Sequence, residues 1–123
     1  MFLILLSVLV LQDEYVPPNE QGIPSVYHGR WAPSAADCID PVMVTRIHER
    51  RIEGYEVRAY LNLAQLNLVT EPPEFYGHFS FVSHFRFWSA VVRISPNDRG
   101  ITVTTIPGED LETPPGPPLV RCA

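Results

Sequence analysis

The run from Phe75 to Phe87 alternates between apolar and polar residues more regularly than any other part of the chain. The odd positions hold Phe75, Gly77, Phe79, Phe81, Ser83, Phe85 and Phe87, and the even ones hold Tyr76, His78, Ser80, Val82, His84 and Arg86. A period of two predicts strands with one aromatic face buried, folded into a hairpin by a turn around 82–84. We expect the phenylalanines 75, 79, 81, 85 and 87 to form the core or to line a small apolar pocket.

The companions of that row predict a possible binding patch on the opposite face. It would contain Tyr76, His84, Arg86 and Trp88. Aromatic and arginine side chains contribute more than their share to protein interfaces. The patch is therefore a candidate for contact with a partner.

Further strand-like segments recur along the chain between clear turn signals. They are 26–31, 42–47, 51–57, 88–94, 101–105 and 119–122. The spacing predicts about seven or eight short strands in an all-β antiparallel barrel or sandwich, with sequential hairpins as the simplest topology. We expect a small meander barrel, because closure removes exposed strand edges.

The segment Arg58–Leu68 fits two structures. Tyr60, Leu61, Ala64 and Leu68 fit one helical face, whereas the leucines fit a strand with one slip of phase. The neighbouring segments are strand-like, so a strand is predicted here. Pro72-Pro73 then ends it, because proline cannot lie inside a sheet ladder.

The chain begins with an apolar segment, residues 1–11, that resembles the hydrophobic region of an export signal. It lacks a basic start and a small-residue cleavage site, and a buried N-terminal strand or helix is the alternative. Residues 12–25 are polar and proline-containing, which is typical of a linker. We expect one domain over 26–123, a periplasmic or secreted location, and no transmembrane span once the signal is removed.

The two cysteines, Cys38 and Cys122, predict one disulfide in an exported chain. The alternative is a pair of reduced, buried thiols. A zinc site is not expected, because neither cysteine has the close cysteine or histidine neighbours of a metal knuckle.

Composition and motifs exclude several classes of function. The formal net charge of −5 provides no basic field for nucleic acid. The four histidines (His28, His48, His78 and His84) and the carboxylates Glu53 and Glu56 are expected at the surface or in structural roles, and no serine lies in a nucleophile elbow. We therefore expect no cofactor, no metal and no catalytic residue. An enzyme remains the minor alternative.

Several short motifs occur in an order that resembles a group of small exported proteins of Gram-negative bacteria without established function. They are Gly29-x-Trp31, Cys38, Tyr55-Glu56, Phe79-x-Phe81 and Arg121-Cys122. The similarity covers nearly all of the domain.

The early Gly29-x-Trp31 and the late Arg121 also resemble, more distantly, the lipocalin barrel pattern. This resemblance implies that Trp31 packs at the closed end and that Arg121 lies across it, with Gly29 as a third structural anchor. A small bacterial barrel that inhibits secreted metalloproteases is similar in its Gly-x-Trp and disulfide, although here the second cysteine lies at the C-terminus. We expect a non-enzymatic protein that binds a small apolar ligand or an envelope or secreted protein, or alternatively inhibits a secreted hydrolase.

Overall fold

A computed structural model of the chain describes residues 21–68, 71–108 and 112–123. The predicted export signal and residues 12–20 of the predicted linker lie outside the described residues. Within the described part, no helix is both long and apolar enough to cross a membrane.

Within the described residues, eight strands form a closed antiparallel barrel. Each strand pairs with the next along the chain, and β8 closes the sheet against β1. The strands are β1 (Gly29–Ala32), β2 (Thr45–Ile47), β3 (Arg51–Gly54), β4 (Val57–Asn67), β5 (Glu74–Ser83), β6 (Arg86–Pro96), β7 (Ile101–Ile106) and β8 (Pro118–Arg121). Two short 3-10 helices cover Ser25–Tyr27 and Ala35–Ile39. The all-β class, the meander order and the number of strands are confirmed.

The ambiguous segment is strand β4, and its slip of phase is a β-bulge. The register against β5 shifts between Leu61 and Leu63. Before the shift Leu61 is buried, and after it Ala64 is buried while Leu63 is exposed. An extra residue in one strand of a pair exchanges the two faces, so one strand keeps its apolar residues inward on both sides of the bulge.

The start of the domain differs from the predicted strand 26–31. A 3-10 helix takes its first residues, and β1 begins only at Gly29. Gly29 has φ 130°, which side chains on an L-residue rarely allow, and an added Cβ would lie 2.8 Å from Arg121 Nη1. This glycine therefore separates the helix from the strand and leaves room for the arginine.

The first 3-10 helix closes the lower end of the barrel, where β1 begins. Arg121 donates from Nη1 to His28 O and from Nη2 to Val26 O, each at 2.7 Å. Trp31 Nε1 donates to the intervening carbonyl, Tyr27 O, at 3.0 Å. The guanidinium carbon of Arg121 lies 4.3 Å from the centroid of the Trp31 ring. Three successive carbonyls and a cation–π contact thus hold the helix in place.

The barrel interior is filled by side chains from all parts of the sheet. Phe75 and Phe79 are fully buried and meet edge to face, with ring centroids 6.2 Å apart. Gly77 lies between them, and an added Cβ would approach the Phe79 ring to 2.6 Å. Ile23, within the predicted linker, is also buried in this core, so the packed part of the chain begins before residue 26.

Phe85 and Phe87 do not belong to the buried row, which corrects the sequence prediction. The turn consists of His84 and Phe85, and Ser83 pairs with Arg86. Because the turn contains an even number of residues, odd positions of β5 face even positions of β6. The buried face therefore continues from β5 into Trp88 and the even positions beyond it. A turn centred on Ser83, as predicted, would have kept the parity unchanged.

The predicted disulfide joins Cys38 to Cys122 across 84 residues, with the two Cα atoms 5.6 Å apart. The second 3-10 helix lays Cys38 against the outside of β1. Arg30 binds the backbone of both cysteines. Its Nη2 donates to Cys38 O at 2.6 Å, and its carbonyl accepts from Cys122 N at 2.8 Å. The bridge therefore fastens the last strand to the first.

Candidate functional site

The longest strands are β4, β5 and β6, which contain 11, 10 and 11 residues, whereas β7 contains 6. β7 pairs with β6 only from Val91 to Pro96. We call the upper part of the three long strands, residues 57–61, 79–83 and 86–90, the wall. Its β4 side is covered, because β3 pairs with residues 57–60. No described strand pairs with the outer edge of the wall along 86–90.

Large aromatic side chains are exposed where the wall ends. Phe85 is 97% exposed, Phe87 76%, Tyr55 55% and Trp88 42%. We call these four residues the aromatic tip. Single apolar residues are common on protein surfaces, whereas four large aromatic side chains exposed at one end of a barrel are unusual.

The two faces of the wall present different members of the aromatic tip. On the inner face Trp88 pairs with Phe81, and their rings stack at 5.3 Å with an angle of 11° between planes. On the outer face Phe87 pairs with Val82. Strand geometry thus offers an apolar contact on either side of β6.

The two turns at the top of the wall are held to each other. Ser83 Oγ donates to Glu56 O at 2.8 Å, and His84 Nε2 lies 3.0 Å from Glu56 Oε2. Both Glu56 and His84 have positive φ, 56° and 51°. These contacts hold the turn of β3–β4 beside that of β5–β6, so Tyr55 and Phe85 lie at one end of the molecule.

Two exposed arginines lie on the wall. Arg58, on β4, is exposed on the outer face, and Arg86, on β6, is exposed on the inner face. Among the described residues, ion pairs within 4.0 Å involve Glu53 and Glu56 with other cations, and neither arginine has an acidic partner. Glu53 lies opposite Arg58 in the pairing of β3 with β4, so Arg86 is the more isolated of the two cations.

The chain matches no protein-family model, no curated protein and no solved structure. The resemblances to small exported proteins and to lipocalins stay predictions.

The patch predicted from Tyr76, His84, Arg86 and Trp88 does not form one surface. The even-residue turn places Arg86 and Trp88 on the inner face, whereas Tyr76 is on the outer face, paired with Arg93. Trp88 is therefore grouped with the buried row and not with Tyr76. The exposed aromatics are instead those at the end of the hairpin, including two that the sequence predicted to be buried.

Tyr76 belongs to a polar network on the outer face. Its hydroxyl donates to Glu74 Oε1 at 2.8 Å, and Ser95 Oγ donates to Glu74 Oε2 at 2.6 Å. Burial favours a higher pKa for Glu74, but these hydrogen bonds and the nearby Arg93 outweigh it and hold that pKa below its usual value. Burial, and then the bond to Glu74, raise the pKa of Tyr76.

The network also holds the loop that precedes β8. Arg93 Nη2 donates to Thr113 O at 2.7 Å, and Gly116 N donates to Thr104 Oγ1 at 3.0 Å. Arg93 and Thr104 are buried. We assign these groups a structural role, because their polar atoms bind one another and the loop.

The histidines are distributed over separate parts of the barrel. Their partners are Ile23 O for His28 at 2.7 Å, Glu53 for His48 at 3.6 Å and Glu56 for His84 at 3.0 Å. His78 lies opposite Val91 on the outer face and is not brought close to His84 by the hairpin turn. Among the described residues, no group of three or more histidine, cysteine, aspartate or glutamate side chains is placed to hold a metal ion.

Two depressions lie on the outside of the barrel. One of about 850 Å³ lies beside the disulfide and is lined by Arg30, Arg46 and Glu53 among others. Another, of about 690 Å³, crosses the outer face of β4–β7 and is lined partly by Tyr76, His78, Val91 and Ile106. Neither is lined by the buried phenylalanines.

Sequence reasoning missed the open edge of β6. The predicted strand 101–105 is much shorter than the predicted hairpin that precedes it. A short strand cannot cover a long neighbour in an antiparallel pair. This mismatch in length was the available signal.

Proposed function

We propose that the protein acts by binding another protein through the aromatic tip, without catalysing a reaction. The observation that carries the proposal is the exposure of Phe85 and Phe87 at the end of a braced hairpin. Burial of apolar surface stabilises a complex by roughly 25 cal/mol per Å², and each aromatic side chain offers about 150–250 Å². Leaving several such side chains in water is unfavourable unless a partner covers them.

A protein partner is supported over a small apolar ligand by the packing inside the barrel. Phe75, Phe79 and Ile94 are fully buried, and a Cβ added at Gly77 would come within 2.8 Å of Phe75, Phe79 and Leu61. Several large apolar side chains, such as Ile39 and Leu68, are exposed singly over the barrel, whereas four aromatic ones are exposed together at the tip. Its spread over two turns and both faces of β6 suits a protein surface better than a small molecule.

The proposed setting is the periplasm or the extracellular medium, and the partner is an envelope or secreted protein. The Cys38–Cys122 disulfide supports this setting, because such bonds persist in oxidising compartments. Inhibition of a secreted hydrolase is one form that the binding could take. The lipocalin-like contact of Arg121 with Trp31, at the lower end of the barrel, would then serve only to stabilise the fold.

Site-specific photo-crosslinking in the producing cells tests this proposal. A photoreactive phenylalanine analogue replaces Phe87 in one variant and Leu68 in another. The two residues make a matched pair, because Phe87 is 76% exposed and Leu68, at the opposite end of the barrel, is 78% exposed. We expect a protein adduct of defined mass from position 87 and none of that mass from position 68.

A second variant controls for accidental neighbours. Adding Phe85→Ser to the position-87 probe removes the most exposed aromatic ring and should weaken the adduct strongly. The proposal is contradicted by the absence of any adduct at position 87, by the same adducts from both positions, or by an adduct that Phe85→Ser leaves unchanged.

A further inference from the structure

We infer that the partner binds as an added β-strand, which pairs in either direction with the open edge of β6 at Phe87–Ser89. This added strand is apolar and carries an acidic residue beside Arg86. The inference rests on the proposed function and specifies its mode of recognition. A sheet edge without a neighbour presents backbone donors and acceptors in a row, and an extended peptide satisfies all of them at once.

Hairpin geometry determines which backbone groups face the open edge. In a two-residue hairpin the residues flanking the turn, here Ser83 and Arg86, form the first hydrogen-bonded pair. Such pairs alternate with non-hydrogen-bonded ones along an antiparallel ladder. Phe87 and Ser89 therefore direct their N–H and C=O groups away from β5. The same alternation makes Val91 the next residue to face outward, and this is where pairing with β7 begins.

No described residue after β7 pairs with this edge. Gly108 has φ 60° and nothing within 4 Å of an added Cβ. Further on, Thr113 and Gly116 contact Arg93 and Thr104, which lie in the paired lower part of β6 and β7. The described residues on both sides of this connection thus leave the edge above Val91 accessible.

Side chains along the edge specify what an added strand must contain. A residue beside Trp88 would face the inner side of the wall, where the stacked Phe81 ring continues the apolar surface. A residue beside Phe87 would face the outer side. The outer depression of about 690 Å³, lined partly by Val91, Ile106 and Gly108, begins where the edge meets β7. Apolar residues are therefore favoured on both faces of the strand.

Charge selects an acidic partner strand over a second copy of this chain. Arg86, at the start of the open edge of β6, is an exposed cation with no ion pair within 4.0 Å among the described residues. A second copy would bring the same cation to the interface, since a two-fold interface uses the same surface twice. An acidic residue beside Arg86 would instead complete a charge pair and fix the register of the added strand.

Selection of a random peptide library displayed on phage against the purified protein tests the inference. We expect the enriched peptides to be free of proline over a stretch of strand length, to be mainly apolar along it, and to carry aspartate or glutamate. Affinity of the enriched peptides is then measured by calorimetry for the wild type, Ser89→Pro, Ser89→Ala and Arg86→Glu. Ser89→Pro removes one edge N–H, and proline is tolerated on an edge strand. Ser89→Ala keeps that N–H and controls for the loss of the hydroxyl.

The expected result is binding about tenfold weaker, or more, for Ser89→Pro than for Ser89→Ala, the loss of roughly one net backbone hydrogen bond. Arg86→Glu should weaken acidic peptides and leave their amide analogues unaffected. Unfolding curves of Ser89→Pro that match those of Ser89→Ala exclude a folding defect. A folding defect in Ser89→Pro would itself show that this N–H is bonded within the chain and would overturn the inference.

Two other outcomes also decide the matter. If peptide binding is lost in Phe87→Ser but is equal in Ser89→Pro and Ser89→Ala, the aromatic tip binds protein, but not by strand addition, so the inference fails while the proposed function stands. If sedimentation shows that the wild type forms a dimer that Ser89→Pro dissociates, the occupant of the edge is a second copy, and the acidic partner strand is overturned.

Discussion

At the scale of single residues, Tyr27 illustrates how position determines chemistry. Its side chain is buried at the base of the barrel, and its hydroxyl donates to Pro73 O at 2.7 Å. Burial, and to a lesser degree the charge of Glu74, raise the pKa of Tyr27 from 10.0 to about 12. The folded chain therefore keeps this proton more tightly than the unfolded chain does.

Tyr27→Phe is predicted to change the dependence of stability on alkaline pH. Below pH 10 the wild type keeps the full contribution of Tyr27, and it loses this contribution as pH rises from 10 towards about 12. At neutral pH the variant should be less stable by about 0.5–1.5 kcal/mol, because the Pro73 carbonyl loses its donor. The difference between the two proteins should shrink above pH 10.

Urea unfolding over this pH range measures the effect, and Tyr60→Phe is the control. Tyr60 is exposed on the outer face of β4, so its replacement controls for the removal of a tyrosine hydroxyl that does not bind Pro73 O. Parallel stability curves for the wild type and Tyr27→Phe up to pH 12 would contradict the assignment.

At the scale of elements, the first 3-10 helix depends on Arg121 more than on its own residues. It has no side-chain cap, and two of its flanking carbonyls are bound by the guanidinium. A lysine cannot bind both carbonyls in the same planar arrangement or stack as well on Trp31. The element that closes the barrel is thus held by the last strand.

Arg121→Lys is predicted to lower the free energy of unfolding by about 1–3 kcal/mol, the range for a lost charged hydrogen bond and a weaker ring contact. Hydrogen exchange should increase at the amides of residues 23–28 before the rest of the barrel is affected. Arg58→Lys, on an exposed arginine without such contacts, is the control. Equal stability of the two lysine variants would show that Arg121 does not hold the helix.

The sequence predicts a strand well where apolar and polar residues alternate clearly. It predicts less well which face a side chain lies on, when that depends on whether a turn contains an even or an odd number of residues. A slip of phase within β4 was predicted from its leucines, with Leu61 and Leu63 before it and Leu66 and Leu68 after it, although the register shifts earlier, between Leu61 and Leu63. The exposure of Phe85 and Phe87 was not predicted, because shifting a turn by one residue moves every following side chain to the other face. No Asn-Gly or Asp-Gly marks that turn, and His84 occupies a position with φ 51° that favours glycine.

At the scale of the whole molecule, closure of the barrel depends on a short seam. β8 pairs with β1 through Trp31–Arg121 and Ala32–Val120, and with β7 through two further residue pairs. Four residue pairs give little local stability compared with the long pairing of β4, β5 and β6. The hairpin of β5 and β6, which carries Phe85 and Phe87, pairs with neither β8 nor β1, so its binding role and the closure of the barrel can be tested separately.

The double variant Cys38→Ser/Cys122→Ser is predicted to lose about 4–5 kcal/mol of stability, since the loop-entropy model assigns that much to a closed loop of 84 residues. The loss should concentrate on the seam. Hydrogen exchange should rise most at the amides of β8 and of residue 122, whose N–H donates to Arg30 O in the wild type. The amides of β5 and β6 should stay protected below the unfolding transition. Wild type treated with reductant provides the matched control and should behave as the variant does. A loss below about 1 kcal/mol, within the range of ordinary substitutions, would mean that the strand pairs alone close the barrel, and that the disulfide is not what joins the end of the chain to its beginning.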